Sequence, residues 1–224
     1  TWNDDYIDNK QFIKVNYSYD FEKQGMSNNN DKEKLLCMIS ANKSSNERNE
    51  LYSEREKVVR WYESNFPSEF DLYGIGWDRI RLTGVFKALK KLPFIWKNIP
   101  FKKYSSYKGT VTSKKVIMSK YKFAICFENI NNMNGYITEK IFDCFFSGTV
   151  PIYLGAKNIS DYVPPHCFID KRNFSTLDDL HKFISSMPEQ QYQEYLNSID
   201  LFLKKQNKGK FSCSSFAKTI ADEI

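Results

Sequence analysis

The sequence predicts an α/β domain built on an open parallel sheet with flanking helices. Short runs such as LLCMI (35–39) and FAICF (123–127) are apolar at every position. That is the pattern of strands covered on both faces. Strand-like and helix-like segments also alternate from residue 35 to about 187, the order expected of parallel strands joined by helical crossovers. The length of 224 residues suits one large domain or two small ones.

Taken in order, residues 1–34 are polar and end in the turn-like Asn28-Asn29-Asn30-Asp31. The first strand is expected at Lys34–Ser40, followed by a polar loop at Ala41–Asn46. A long helix should run from about Glu47 to Asn65, with Leu51, Val58, Trp61 and Tyr62 near one face. Pro67 stops it. Phe70–Tyr73 reads as a second strand, ending in Gly74-Ile75-Gly76-Trp77. A short helix is expected near Leu82–Lys90 and another at Ser113–Ser119. Lys122–Phe127 is a strand, Glu128–Gly135 an Asn-rich loop, Ile137–Ser147 a helix and Val150–Leu154 a strand. Phe168–Asp170 is a short strand. Ser175 or Thr176 caps a helix with Asp178 and Asp179 in its first turn. Pro188 opens the next helix, to about Lys205, and a last helix starts near Ser214.

Composition narrows the function. No run approaches 18 apolar residues, so no transmembrane helix is expected. The start, Thr1-Trp2-Asn3-Asp4-Asp5, has no Met and is unlike a signal peptide, which suggests a piece of a longer chain. The net charge is +6, yet only 6 of 33 cations are Arg. Nucleic-acid readers favour Arg, and no RNP, zinc-finger or helix-turn-helix signature occurs; no nucleic-acid partner is expected. The densest basic stretch, Lys87–Lys103, mixes Lys with Phe94, Trp96 and Phe101. It reads either as a surface loop or as a peripheral contact with an anionic membrane. The five cysteines include no CxxC pair. They read as small buried hydrophobes in a reducing, cytoplasmic setting. With only His166 and His181, a zinc site is disfavoured.

In such a sheet, ligands bind beyond the carboxyl ends of the strands, so the loops after Ser40, Tyr73, Phe127 and Leu154 matter most. The loop Glu128–Lys140 enters a helix near Thr138, where free N–H groups favour an anion. Lys140 adds a cation at the helix end where cations are not usually placed, which suggests a phosphate; the alternative is a solvated Lys beside Glu139. Arg48 falls near the start of the long helix. It could hold a diphosphate or pair on the surface with Glu47, Glu50 and Glu54. The loop with Gly74 and Gly76 could admit a flat base, or merely permit a turn. There is no GxGxxG, no GxxxxGK[ST] and no GxSxG.

The block Tyr121–Phe174 resembles the donor-binding half of the family 10 α-1,3/4-fucosyltransferases. The resemblance rests on Phe127-Glu128-Asn129, Gly135-Tyr136-Ile137-Thr138-Glu139-Lys140, Gly148-Thr149-Val150-Pro151, Gly155 and the Pro164-Pro165…Phe168-Ile169 tail. FDLYGIGW and the Arg48 loop also look like family features, extending the likeness over roughly residues 1–185. It implies a GT-B enzyme of two Rossmann-like domains, with GDP-fucose bound mainly by the C-terminal one, and an inverting transfer to a glycan acceptor that requires no cofactor or metal.

Carried onto this sequence, the resemblance gives Arg48 and Lys140 the diphosphate and the departing GDP. Asn129, Tyr136, Ile137, Thr138, Glu139 and Gly76 become donor contacts, with Glu139 near the ribose or sugar and acting with Arg48 and Lys140 in catalysis. It divides the chain into a crossover from an absent N-terminal acceptor domain (1–34), a nucleotide-sugar domain (35–187) and C-terminal helices (188–224). The general base is then expected outside this chain, and Glu128 is expected to anchor its loop. A different nucleotide sugar, or a binding module without catalysis, are the competing readings. Lys and Asn richness suggests a bacterial enzyme acting on lipopolysaccharide or another surface glycan, cytoplasmic or peripheral at the inner membrane.

Overall fold

In the computed structural model, residues 1–21, 24–27, 32–78, 104–206 and 209–223 are described. The expected turn at Asn28–Asp31, the short helix near Leu82–Lys90 and the basic stretch Lys87–Lys103 lie outside the described residues.

Five apolar segments pair into one parallel sheet: β1 (Lys34–Ile39), β2 (Phe70–Tyr73), β3 (Tyr121–Phe127), β4 (Val150–Leu154) and β5 (Ile169–Asp170). Their order across the sheet is β2-β1-β3-β4-β5. The chain steps from β1 to one side, then returns to the other side of β1 with β3. Direction therefore reverses between β1 and β3, the switch point where ligands of such sheets settle. The β1–β3 ladder runs through Cys37 and Ala124, short of both carboxyl ends, and the strand tips part there.

The helices are α1 (Tyr52–Asn65), α2 (Lys114–Met118), α3 (Glu139–Phe146), α4 (Leu177–Ser185), α5 (Glu189–Lys205) and α6 (Cys213–Ala221). Local chemistry sets most of their ends. Ser113 caps α2, Thr176 caps α4 through the Asp179 amide, and Ser212 caps α6 through the Ser215 amide. Pro188 stands at the N-cap of α5. The core lies on both faces of the sheet. On one, Phe142 and Phe145 of α3 meet Phe202 of α5; Tyr192 of α5 packs on Phe123. His181 is buried, its ring stacked 3.5 Å from that of Phe66, a structural role.

The polar N-terminal segment docks on this body. Asp4 accepts hydrogen bonds from Lys14, Asn158 and Tyr162 at 2.6–2.8 Å. Tyr19 pairs with Phe211 and Cys213 through its backbone and rests on the Phe142 ring at 4.5 Å. Cys37, Cys126, Cys144 and Cys167 are buried and free, as expected of small hydrophobes; Cys213 is free and exposed.

One buried carboxylate ties the strands together. Asp71 accepts from Lys34 at 2.7 Å and from the Tyr121 hydroxyl at 2.6 Å, with Lys108 at 3.5 Å. Burial pushes its carboxyl up, but the hydrogen bonds from Lys34 and Tyr121 outweigh this and hold it below the ordinary value. A depressed carboxyl adds stability above its unfolded value near about 3.9, and that stability is lost as pH falls through the folded value. Asp71→Asn is therefore expected to be less stable at pH 6 and to show a flatter loss of stability between pH 5 and 2 in urea titrations. Equal slopes for both proteins would contradict this.

Candidate active site

The start of α1 is decided by a side chain. The Glu50 carboxylate accepts from the amides of Tyr52 at 2.6 Å and Ser53 at 3.1 Å, and from the Ser53 hydroxyl. The helix thus begins at Tyr52 instead of Glu47, and Arg48 lies in the turn ahead of it. The residues just before α1 bond to the loop after β3, through Leu51 N–H to Asn129 O at 3.0 Å and Asn131 N–H to Asn49 O at 2.7 Å. This register puts Arg55 on the buried face of α1 with Val58, Val59 and Tyr62. Its guanidinium donates to the carbonyls of Phe127 and Glu128 at 2.7 and 2.8 Å and to Asn129 Oδ1 at 3.1 Å. Burial draws it below the usual arginine value, and it remains a cation at neutral pH.

On the other side of β3, Glu128 is fully buried. Its carboxylate accepts from the Thr138 amide at 2.8 Å, the Thr138 hydroxyl at 2.6 Å and Lys140 Nζ at 3.0 Å. This is the anchoring role expected for Glu128. It also corrects the reasoning about Lys140. The anion that balances this cation at the N-terminus of α3 is supplied by the chain itself. Burial lowers the Lys140 ammonium, but Glu128 and then Glu139 outweigh it, leaving the group above its usual value and charged. The Glu139 carboxyl is pushed up by burial and pulled down further by Lys140, so it stays below its usual value. The adjacent Gly155 has no room for a side chain, because a Cβ there would strike Glu128 and the Tyr153 hydroxyl.

A cavity of about 640 Å³ opens where β1 and β3 part. Its floor carries Met38, Ile39 and Ile125–Phe127, and its walls carry Asn129, Glu139 and Lys140. Among the described residues, four cations line it, Lys43, Arg55, Lys114 and Lys140, against two carboxylates, Glu139 and Asp143. Asp143 is bridged by Lys114 at 2.6 Å, and burial holds its carboxyl above the ordinary value. A volume of this size accommodates a nucleotide-sized ligand, and the excess of cations favours an anionic one.

The structure brings Asn129, Glu139 and Lys140 together in this wall. It does not bring Arg48 there. Arg48 lines a separate depression with Glu50, Glu54, Lys171 and Arg172, and among the described residues Arg55 is the arginine that lines the cavity. Ile137 is packed in the core, and Thr138 is buried against Glu128. Tyr136 stands behind Asn129, its hydroxyl 3.4 Å from the Asn129 amide nitrogen. Gly76 has φ +86° and accepts from Asn42, while Gly74 and Ile75 reach the cavity. Gly74, at φ +127°, is required because a Cβ would run into the Ser40 carbonyl. Arg55, Lys43, Lys114 and Asp143 were not anticipated. The one local signal was an arginine at a position that the apolar stripe of α1 assigns to the core.

Comparison with known proteins bears on this site. Residues 29–213 match the family described as glycosyltransferase family 10 (fucosyltransferase), C-terminal part. An Arabidopsis thaliana α-(1,4)-fucosyltransferase is 41% identical over 80 residues, 35% of this chain and 20% of that protein. A Helicobacter pylori α-(1,3)-fucosyltransferase is 35% identical over 97 residues, 40% of this chain and 20% of that protein. The matched stretch thus spans a fifth of the length of either relative. In fold, the chain is similar to Anabaena HepE, solved with UDP-glucose, at a TM-score of 0.58 and 10% identity over 94% of this chain and 56% of that one. The Rossmann-like sheet with flanking helices is that of one half of the GT-B architecture. With most of its length matched by the family pattern, the chain belongs to glycosyltransferase family 10, the fucosyltransferases.

Proposed function

We propose that the cavity at the β1–β3 switch point binds GDP-fucose, and that in the longer protein the bound fucose passes with inversion to a glycan hydroxyl in α-1,3 or α-1,4 linkage. The observation that carries this reading is the convergence of Asn129, Glu139, Lys140 and Arg55 on one 640 Å³ cavity in a chain of this family. In the transfer, the bond from the anomeric carbon to the phosphate oxygen breaks as the acceptor oxygen attacks from the opposite face. Negative charge then grows on the departing diphosphate. Lys140 and Arg55, already fixed by hydrogen bonds, stabilise it without reorganising. Arg48 in its neighbouring depression takes part only by reaching over the Glu50 turn. Tyr136, Ile137 and Thr138 serve by shaping the wall, and Glu139 accepts from ribose or sugar hydroxyls.

The acceptor's proton is taken, as the family resemblance implies, by a base outside this chain. Glu128 is buried and fully engaged, and Glu139, held below its usual value, is a weak base. The proposed transfer is metal-independent, as the family resemblance implies. No helix among the described residues is long and apolar enough to cross a membrane. Peripheral contact with an anionic membrane, and a bacterial surface glycan as acceptor, fit the Lys-rich composition.

Calorimetry with GDP, GDP-fucose, UDP and UDP-galactose tests the reading. Both guanine ligands should bind one to one, and the uridine ligands at least about tenfold more weakly. Uridine ligands binding more tightly than guanine ones would favour a different donor. A folded protein that binds none of the four would overturn the assignment.

A further inference from the structure

Among the described residues the cavity carries two carboxylates, Glu139 and Asp143, although its proposed ligand is an anion. Glu139, beside Lys140 at the start of α3, is matched by the donor's hydroxyl groups. Asp143, paired with Lys114 at 2.6 Å, is given no partner on the donor by that reading. It lies one helical turn beyond Glu139, about 6 Å further along α3, and lines the same cavity. Its neighbours there come from α2 and the loop before it: Val111, Thr112, Lys114 and Met118. This end of the cavity therefore sets the apolar Val111 and Met118 beside the polar Thr112, Lys114 and Asp143.

Stability does not account for the carboxylate. The Lys114 side chain is 45% exposed, and a pair with so exposed a partner contributes little. A half-buried carboxylate facing a ligand pocket requires donors from that ligand, or it repels it. Glu139 and Asp143 lie one turn apart on α3 and line the same cavity, so they meet different parts of one bound ligand.

We propose that Asp143 reads the nucleobase, its two oxygens accepting the N1–H and the 2-amino N–H of guanine. This inference rests on the GDP-fucose reading above. Guanine presents two donors in line at that edge. Uracil presents one N–H between two carbonyl oxygens, which the carboxylate would repel. Hypoxanthine lacks the 2-amino donor, and xanthine places a carbonyl where guanine has it. Lys114 holds the carboxylate in orientation from the α2 side.

The test is calorimetry of GDP, IDP, XDP and UDP against the wild-type chain and Asp143→Asn, with inorganic pyrophosphate as a probe of the phosphate end. The wild type should bind GDP ~5- to 10-fold more tightly than IDP and ~100-fold more tightly than XDP, the scale of one and two base contacts. In Asp143→Asn, GDP should weaken and XDP strengthen, closing the gap by at least ~10-fold, with pyrophosphate binding unchanged. Equal affinity of the wild type for GDP, IDP and XDP would overturn the proposal, whether or not the variant folds. So would a variant that weakens all four nucleotides alike, since that is the signature of a mere α2–α3 tie. Failure of the wild type to bind any guanine nucleotide would instead remove the GDP-fucose reading itself.

Discussion

Lys140→Ala is expected to lose both stability and nucleotide binding, and the two losses separate in a double mutant. In the native fold, Lys140 Nζ lies 3.0 Å from the Glu128 carboxylate and 2.8 Å from the Thr138 hydroxyl. Glu128 has no solvent exposure. Removing the ammonium leaves a buried carboxylate with a charge it cannot share. Breaking such a pair costs roughly 3–5 kcal/mol, a large part of the 5–15 kcal/mol typical of a whole domain. In a Glu128→Gln background that charge is gone, so the same Lys140→Ala change should cost only about 1–2 kcal/mol. Chemical denaturation of the four proteins gives the coupling directly. GDP affinity behaves differently. It should fall at least about tenfold on loss of Lys140 in either background, because the missing contact is with the diphosphate. Additive stability effects would contradict the pairing. Unchanged GDP affinity in the Glu128→Gln background would contradict the phosphate role.

The second large effect is expected at Arg55. Its guanidinium satisfies the Phe127 and Glu128 carbonyls and the Asn129 side chain while sitting on the apolar face of α1. Arg55→Ala removes all three contacts and leaves a cavity beside buried acceptors, for roughly 3–4 kcal/mol. For a chain of this length that is a drop of about 10 °C in Tm. Arg55→Lys should recover only part of the loss, since the three acceptors converge on Nη2 and a lysine ammonium, which also has three donors, sits on a stem one bond shorter and more flexible. GDP binding should weaken in both variants, because Asn129 loses its orientation along with the cation. A Tm within 2 °C of wild type in Arg55→Ala, by calorimetric scanning, would contradict the account.

Much of the fold is legible in the sequence because its cues are local. Each of the four longer strands falls within a residue or so of its expected span, since an apolar run bounded by polar loops is read without knowing its neighbours. Ser113, Thr176 and Pro188 mark helix starts for the same reason. The errors come from contacts between distant segments. The helix expected from Glu47 begins at Tyr52 because Glu50 turns its carboxylate onto the first amides, while the backbone of Asn49 and Leu51 binds the Asn129–Asn131 loop. That shift of register exchanges Arg48 for Arg55 in the cavity. Lys140 looked unbalanced because its counter-ion, Glu128, stands at the end of the preceding strand. Asp143 and Lys114 were invisible as site residues because only the packing of α2 against α3 brings them together. The motif residues Asn129, Glu139 and Lys140 reached the cavity. Ile137 and Thr138, from the same motif, instead build the turn that holds Lys140.

The central claim is that the nucleotide occupies the cavity between β1 and β3, with its phosphates at the start of α3. Hydrogen–deuterium exchange with and without saturating GDP tests it most directly, since bound amides gain protection in proportion to their loss of opening. Protection is predicted in 38–43, 110–118 and 127–143, with little change in the depression formed by Arg48, Lys171 and Arg172. Protection confined to 47–54 and 169–174, with none at the start of α3, would contradict it.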